Sequence, residues 1–437
     1  MRLLKIFIPL IILLLSPVAI SDPLSFFNEV NGSNDIKLVK EILSHKEYTI
    51  YINGENIQIE EFIDNYGDTR FENLPKVKTQ GYKRSFSFQS LNNSIVIDKN
   101  GQVTMLNMKY PDLSELTYLN KFKNLESLYI YGLESNDLLD LSELKNLKYL
   151  DLRKNKSKEI SLPKGSNLKT ISISYSGVVN LVGLNHSENL ESLEVAYTKI
   201  KTLGSLNNLL NIKRLDILSI GKDFKGQISL GASTDLEFLA VYGINISKTN
   251  QLENMNKLRY LALFDVDKLD DVELPQKLES LMVRGSNSTA FPQIENCENL
   301  NFLMITDTKF TSVPDLKRLT KLKEVKLENN QLNDISGLSN LANLEELYLK
   351  DNNISQISDL AGLKKLRLLD LEDNQIKSVS GLKDMPSLKA VNFENNPVES
   401  VDFEMVDQFK GVMFNISETP FHETSTLEQR KRMGMYY

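Results

Sequence analysis

The chain has 437 residues, 41% of them hydrophobic, enough to bury a large core or to build an extended array. Its formal net charge of −7 offers no basic face for phosphates, which argues against a nucleic-acid partner. One cysteine, three histidines and no tryptophan leave no disulfide framework and no metal-ligand spacing, so no cofactor is implied.

The chain begins MRLLKIFIPLIILLLSPVAIS, with Arg2 and Lys5 before an apolar run and small residues at Ala19-Ile20-Ser21. This pattern predicts a cleaved signal peptide over 1–21. The run is short for a bilayer span, so no stable transmembrane anchor is expected after cleavage. Removing the leader moves the charge from −7 to −9. An exported chain with a lone thiol, Cys297, points to a bacterial protein that is secreted, periplasmic or held at the cell surface.

Residues 22–90 predict a small N-terminal α/β module or an extended cap. Ile36, Val39 and Ile42 or Leu43 mark one face of a short helix, and YTIYINGENIQIEEF suggests a hairpin around Asn53-Gly54. A second hairpin, SIVIDKNGQVTMLNM around Asn100-Gly101, is expected to cap the array over 91–102 and to cover its first edge.

Residues 103–400 are repetitive. The pattern L-x-x-L-x-L, with other aliphatic residues allowed, starts at Val103, Leu125 and Leu147 and recurs to Leu388, mostly at intervals of 22 residues. About fourteen units result. The unit at Leu322 reads LKEVKLENNQLNDISGLSNLAN. The spacing of two around Val325 and Leu327 predicts a short strand, and the later spacing of three predicts tight helix or irregular coil. One unit cannot bury its own apolar side, whereas stacked units share a continuous core. The expected fold is an α/β repeat solenoid, a curved array with a parallel β-sheet on its concave face.

Asn155, Asn330, Asn352, Asn374 and Asn396 occupy the ninth place, where a buried amide can satisfy turn backbone between neighbouring units. Units starting at 168–300 replace it with Ser176, Thr198, Ile220, Ile244, Val266, Ser286 and Thr308, which predicts less regular turns there. Cys297 takes the twentieth place, filled elsewhere by Leu319, Leu341 or Leu363, and reads as core. After the array, 401–437 reads as a C-terminal cap and tail. FKGVMF suggests an incomplete closing strand, and LEQRKRMGMYY a frayed basic end.

The stretch DISGLSNLANLEELYLKDNNISQISDLAGLKKLRLLDLEDNQIKSV carries an N-x-I/L-x-x-I-x-x-L signature. It resembles the 22-residue bacterial leucine-rich repeats of the internalin family. The N-terminal segment does not resemble the usual helical internalin cap, and no cell-wall sorting signal follows the array. The resemblance implies an exported ligand-binding scaffold.

In such a fold the third, fifth and seventh places of each unit point to the concave face. The first units offer Tyr129, Tyr131 and Tyr149, with Lys109, Asp151 and Arg153. The middle units offer Phe238, Tyr242, Tyr260, Phe264, Met282, Arg284, Phe302 and Met304, with Ala240 and Ala262 between them. The last units offer Glu324, Glu328, Glu346, Asp370, Glu372 and Glu394, relieved by Lys326 and Lys350. Aromatic residues, Met and Arg are enriched at the centres of protein interfaces. No nucleophile elbow, P-loop or convergent set of titratable groups occurs, which argues against an enzyme. The expected function is binding of a protein ligand, a host protein among the options. The alternative is a structural or envelope-assembly role through self-association.

Overall fold

In a computed structural model of the chain, the structure describes residues 49–52, 93–98, 102–111 and most of 116–434, with breaks chiefly at 219–234, 244–251 and 267–272. The predicted leader, the helix near Ile36 and the turn at Asn53-Gly54 lie outside the described residues. The chain divides into two compact units, one reaching Ser233 and one running from Thr234.

In the first unit, β1 (Thr49–Ile52) pairs in parallel with β2 (Ser94–Ile97). β2 turns back antiparallel onto β3 (Val103–Lys109), with a bulge between Val96 and Ile97. β3 then starts a parallel series with β4 (Ser127–Tyr131), as the repeat register requires. β5 (Leu139–Asp140) lies off this series, which continues through β6 (Tyr149–Arg153). β7 (Glu159–Ser161) is followed by β8 (Thr170–Ser174), and β9 (Asn180–Val182) by β10 (Ser192–Ala196) and β11 (Arg214–Leu218). β6, β8, β10 and β11 pair in parallel, while β5, β7 and β9 make a separate three-stranded parallel sheet. That second sheet replaces the expected helical return. β-branched residues such as Ile160 and Val182 favour extended backbone there.

The second unit stacks β12 (Phe238–Tyr242), β13 (Tyr260–Phe264), β14 (Ser280–Arg284) and β15 (Phe302–Thr306) as five-residue strands. β16 (Glu324–Lys326), β17 (Glu346–Tyr348), β18 (Leu368–Asp370) and β19 (Ala390–Asn392) continue the parallel stack with three residues each. Here the return segments do form tight helix, at Ser336–Leu338 and Ser358–Leu360. The repeat leucines fill the core: Leu322, Val325, Leu327, Leu332, Ile335, Leu338 and Leu341 are all buried.

The ninth-place asparagines of this unit bind across turns. Asn374 donates from Nδ2 to the carbonyls of Leu371 in its own turn (3.1 Å) and Leu349 in the preceding one (2.9 Å). Its Oδ1 accepts the N–H of Ile354 at 3.0 Å. Asn330, Asn352 and Asn396 repeat the pattern. Asn155 instead accepts from Ser157 within its own turn. At the same place Thr198 accepts from Ile200 and Ser286 from Ser288, again locally, so these units do not reach across.

The stack closes with β20 (Met413–Asn415), parallel to β19. α1 (Phe403–Val406), α2 (Pro420–Thr424) and α3 (Leu427–Arg432) lie around it. The tail is ordered rather than frayed as far as residue 434. A capping box joins Thr426 and Gln429, Met433 is fully buried, and its carbonyl accepts the N–H of Phe414 at 3.1 Å.

Candidate functional site

Parallel pairing 22 or 20 residues apart places the outward side chains of β12–β15 in three rows. Phe238, Tyr260, Ser280 and Phe302 form the first. Ala240, Ala262, Met282 and Met304 form the second, and Tyr242, Phe264, Arg284 and Thr306 the third. Strand alternation sends Leu239, Val241, Leu261 and Leu263 into the core and leaves these rows on the other side.

The rows differ in accessibility. Phe238, Tyr242, Tyr260, Phe264, Met282 and Met304 are half-buried, and Arg284 is exposed. Phe302 is only 3% exposed, with the Lys326 ammonium 5.9 Å from its ring centre. Ala240 and Ala262 are buried between the larger side chains. Phe238 and Tyr260 sit 6.3 Å apart between ring centres, tilted by 35°. The Tyr260 hydroxyl donates to Glu279 at 3.2 Å; burial, reinforced by that carboxylate, pushes its pKa up to about 12. Arg284 reaches Asp307 at 2.7 Å, which fixes the guanidinium at one side of the face. What results is an apolar surface with polar groups held at its margin.

β16–β19 carry acid on the same side of their strands. Glu324 pairs with Lys326 at 3.0 Å, Lys350 pairs with Glu372, and Asn392 and Asn415 donate to Glu372 and Glu394. Glu328 and Asp370 are not neutralised in this way. Burial holds both carboxyls above the usual carboxylate range, only partly offset by the nearby lysines. Tyr348, between Lys326 at 4.8 Å and Glu346 at 2.9 Å, belongs to this zone although its acidic neighbours obscured it in the sequence.

In the first unit the outward face is buried rather than open. Tyr129 is 7% exposed, and burial beside Asp151 raises its pKa. Asp151 and Arg153 form a buried two-bonded ion pair with both contacts at 2.8 Å. Ser127, Ser172, Ser174, Glu194 and Asp216 are buried on the same side. Only Tyr131 and Tyr149, of the three tyrosines anticipated there, are half-exposed. The structure therefore gathers the middle-zone residues on one face and places Tyr129, Tyr131 and Tyr149 on another, in the other unit.

One aromatic row went unanticipated. Tyr110, Tyr175 and Tyr197 occupy the eighth place, just past the strands, and are among the most exposed large side chains described. Aromatic rings in a place that Gly, Asp or Asn fills in later units were the available signal. Cys297 lies in the core, its thiol 3.4 Å from the Pro275 carbonyl and pushed up to about 12 by burial. Among the described residues, no group of three or more His, Cys, Asp and Glu is gathered closely enough to hold a metal ion.

The repeat register, inward leucines and asparagine bridges define an internalin-like leucine-rich repeat fold. The leucine rich repeat family profile matches residues 320–376 and 343–398. A Leptospira interrogans leucine-rich repeat protein superposes with a TM-score of 0.54 at 22% identity, over 75% of this chain and 92% of its own. The functional domain of InlJ from Listeria monocytogenes superposes with a TM-score of 0.56 at 17% identity, over 72% and 68%. An internalin of the same organism, InlF, covers 73% of this chain and 85% of its own at 22% identity, with a TM-score of 0.49. No curated protein matches the sequence significantly. No helix among the described residues is long and apolar enough to cross a membrane.

Proposed function

We propose that the chain is an exported, non-catalytic scaffold that binds a protein ligand through the outward face of β12–β15. The supporting observation is the set of half-buried Phe238, Tyr242, Tyr260, Phe264, Met282 and Met304 on adjacent parallel strands. A buried ring contributes ~150 Å² or more of contact, so four partly open rings and two methionines make a larger apolar surface than most monomers leave unpartnered. These are also the residue types that dominate interface centres. Arg284 and Glu279, held by Asp307 and Arg259, supply a polar margin that would orient a partner.

The test compares the mature chain with a Phe238→Ala/Tyr260→Ala/Phe264→Ala variant as baits against host and bacterial-envelope extracts. The reading expects a partner retained by the native chain and lost by the variant, with both melting alike. A variant that unfolds would make the rings structural and defeat the proposal. A partner bound equally by both would place the interface elsewhere.

A further inference from the structure

Every described eighth place continues the ladder past its strand with a left-handed residue. Tyr110 donates its N–H to Tyr131, Lys154 to Ser174, Tyr175 to Ala196 and Tyr197 to Leu218. Their φ values are 50°, 49°, 51° and 52°. A side chain with a β-carbon is disfavoured there by ~1–2 kcal/mol, and only Gly, Asn and Asp adopt the region readily. The second unit follows that preference throughout, from Gly243 to Asn395. The first unit departs from it at four of five such turns, three times with tyrosine.

The tyrosines gain little burial in exchange. Tyr110 is 58% exposed and Tyr175 and Tyr197 are each 49% exposed. Tyr175 and Tyr197 stack face to face, 4.6 Å between centres and 11° from parallel. Tyr110 lies across Gly132, where even a β-carbon would meet its ring at 2.4 Å, and packs edge-on to Tyr131 at 5.5 Å. Lys154 sits 5.2 Å from the centre of the Tyr131 ring, bridging the two aromatic pairs, and lowers the pKa of the Tyr131 hydroxyl. The result is a continuous Tyr/Lys rim at the C-terminal ends of β3, β4, β6, β8 and β10. Lys109 and the exposed Lys199 flank it, while the nearby acid Glu134 is paired with Lys156.

Local strain accepted in exchange for exposed rings marks a functional position rather than a packing solution. We infer that this rim is a second interaction surface, which takes an acidic, extended segment of a partner protein. Tyr hydroxyls donate to carboxylates, ring edges cover the segment's apolar stems, and Lys154 and Lys199 supply the opposite charge. Five strands ~4.8 Å apart give a rim of about 19 Å, the length of roughly six extended residues. The surface is independent of the β12–β15 face.

The test pans a random peptide library, displayed on phage, against the full chain carrying Phe238→Ala/Tyr260→Ala/Phe264→Ala, so that only sites outside that face select. Enrichment of Asp/Glu-rich sequences is expected, with binding that weakens as salt rises. Tyr175→Asn, Tyr197→Asn and Lys154→Asn should each weaken the selected peptide by about tenfold or more. Because asparagine suits the left-handed turn, these variants should melt at the native temperature or above. Selected peptides without acidic residues, no selection at all, or unchanged binding by the variants would overturn the inference. So would variants that melt several degrees lower, which would make the rings structural. Self-association in light scattering that Tyr175→Asn abolishes would assign the rim to a second copy and overturn the separate partner.

Discussion

Replacing Asn374 by alanine tests the asparagine bridges where the bonding can be followed atom by atom. The side chain is 2% exposed and makes three bonds: two from Nδ2 and one to Oδ1. The losses are unequal. The carbonyl of Leu349 keeps a donor in Asn352 at 3.0 Å, and that of Leu371 keeps one in Asn396 at 2.8 Å. The buried N–H of Ile354 depends on Asn374. An orphaned buried donor costs ~1–3 kcal/mol, and weakening two shared carbonyls adds ~1 kcal/mol, for a total of roughly 2–4 kcal/mol. The second unit runs from Thr234 to Tyr437. For chains of that size each kcal/mol shifts Tm by ~2–4 °C, so a fall of about 4–16 °C is expected. Urea denaturation gives the free energy, and hydrogen exchange at Ile354 gives its location. Asn374→Asp should be worse than alanine, since it removes both donors and buries a charge. Asn343→Ala is the control, because Asn343 bonds Thr320 at an exposed site and should change stability by less than ~0.5 kcal/mol. A loss below ~0.5 kcal/mol for Asn374→Ala, or an aspartate variant as stable as native, would refute the account.

Three further outcomes follow from buried groups. The Cys297 pKa is raised to about 12 in the folded chain, so its stabilising protonation is intact below the unfolded thiol value near 9.0 and is lost as pH rises beyond it. A thiol reagent at neutral pH should therefore label Cys297 only after denaturant is added, and labelling of the native chain would contradict the core assignment. Glu328 also has a raised pKa, so its ionised form is disfavoured in the folded state at neutral pH. Glu328→Gln should raise Tm at pH 7 and lose that advantage below about pH 4, where the native carboxyl is protonated as well. A gain independent of pH would point to packing. Arg153→Met leaves Asp151 buried beside an apolar stem and should cost ~3–5 kcal/mol, while Asp151→Leu/Arg153→Met should recover much of it. A double variant no better than the single would show that the pair's cost is not charge burial.

Much of the fold was legible because its period is rigid. The leucine positions that start each unit also set strand register: Phe238 faces Tyr260 and Glu346 faces Leu368, as a 22-residue spacing demands. The asparagines were legible for the same reason, since a buried amide recurring at one place needs a recurring partner. The return segments were not. Glu159–Ser161 and Asn180–Val182 became strands, whereas Ser336–Leu338 became tight helix, and the same apolar spacing serves both. Exposure was equally hidden. Phe302 and Tyr129 point outward in the pattern yet are buried, because the size and charge of side chains on neighbouring strands decide what an outward ring meets. The Tyr110, Tyr175 and Tyr197 row escaped for another reason. Hydrophobic periodicity records which way side chains point and carries nothing about backbone torsion.

The asparagine bridges also bear on how such an array changes length. Each bridging asparagine reaches only its own turn and the preceding one, and its contacts recur at fixed separations of three, 20 and 25 residues. A duplicated stretch of 22 residues would arrive with every donor already facing its acceptor. An insertion of 21 or 23 would strand one amide and turn a leucine toward water. The chain thus tolerates growth by whole turns and resists it by single residues, so its length can drift between relatives while its cross-section stays fixed.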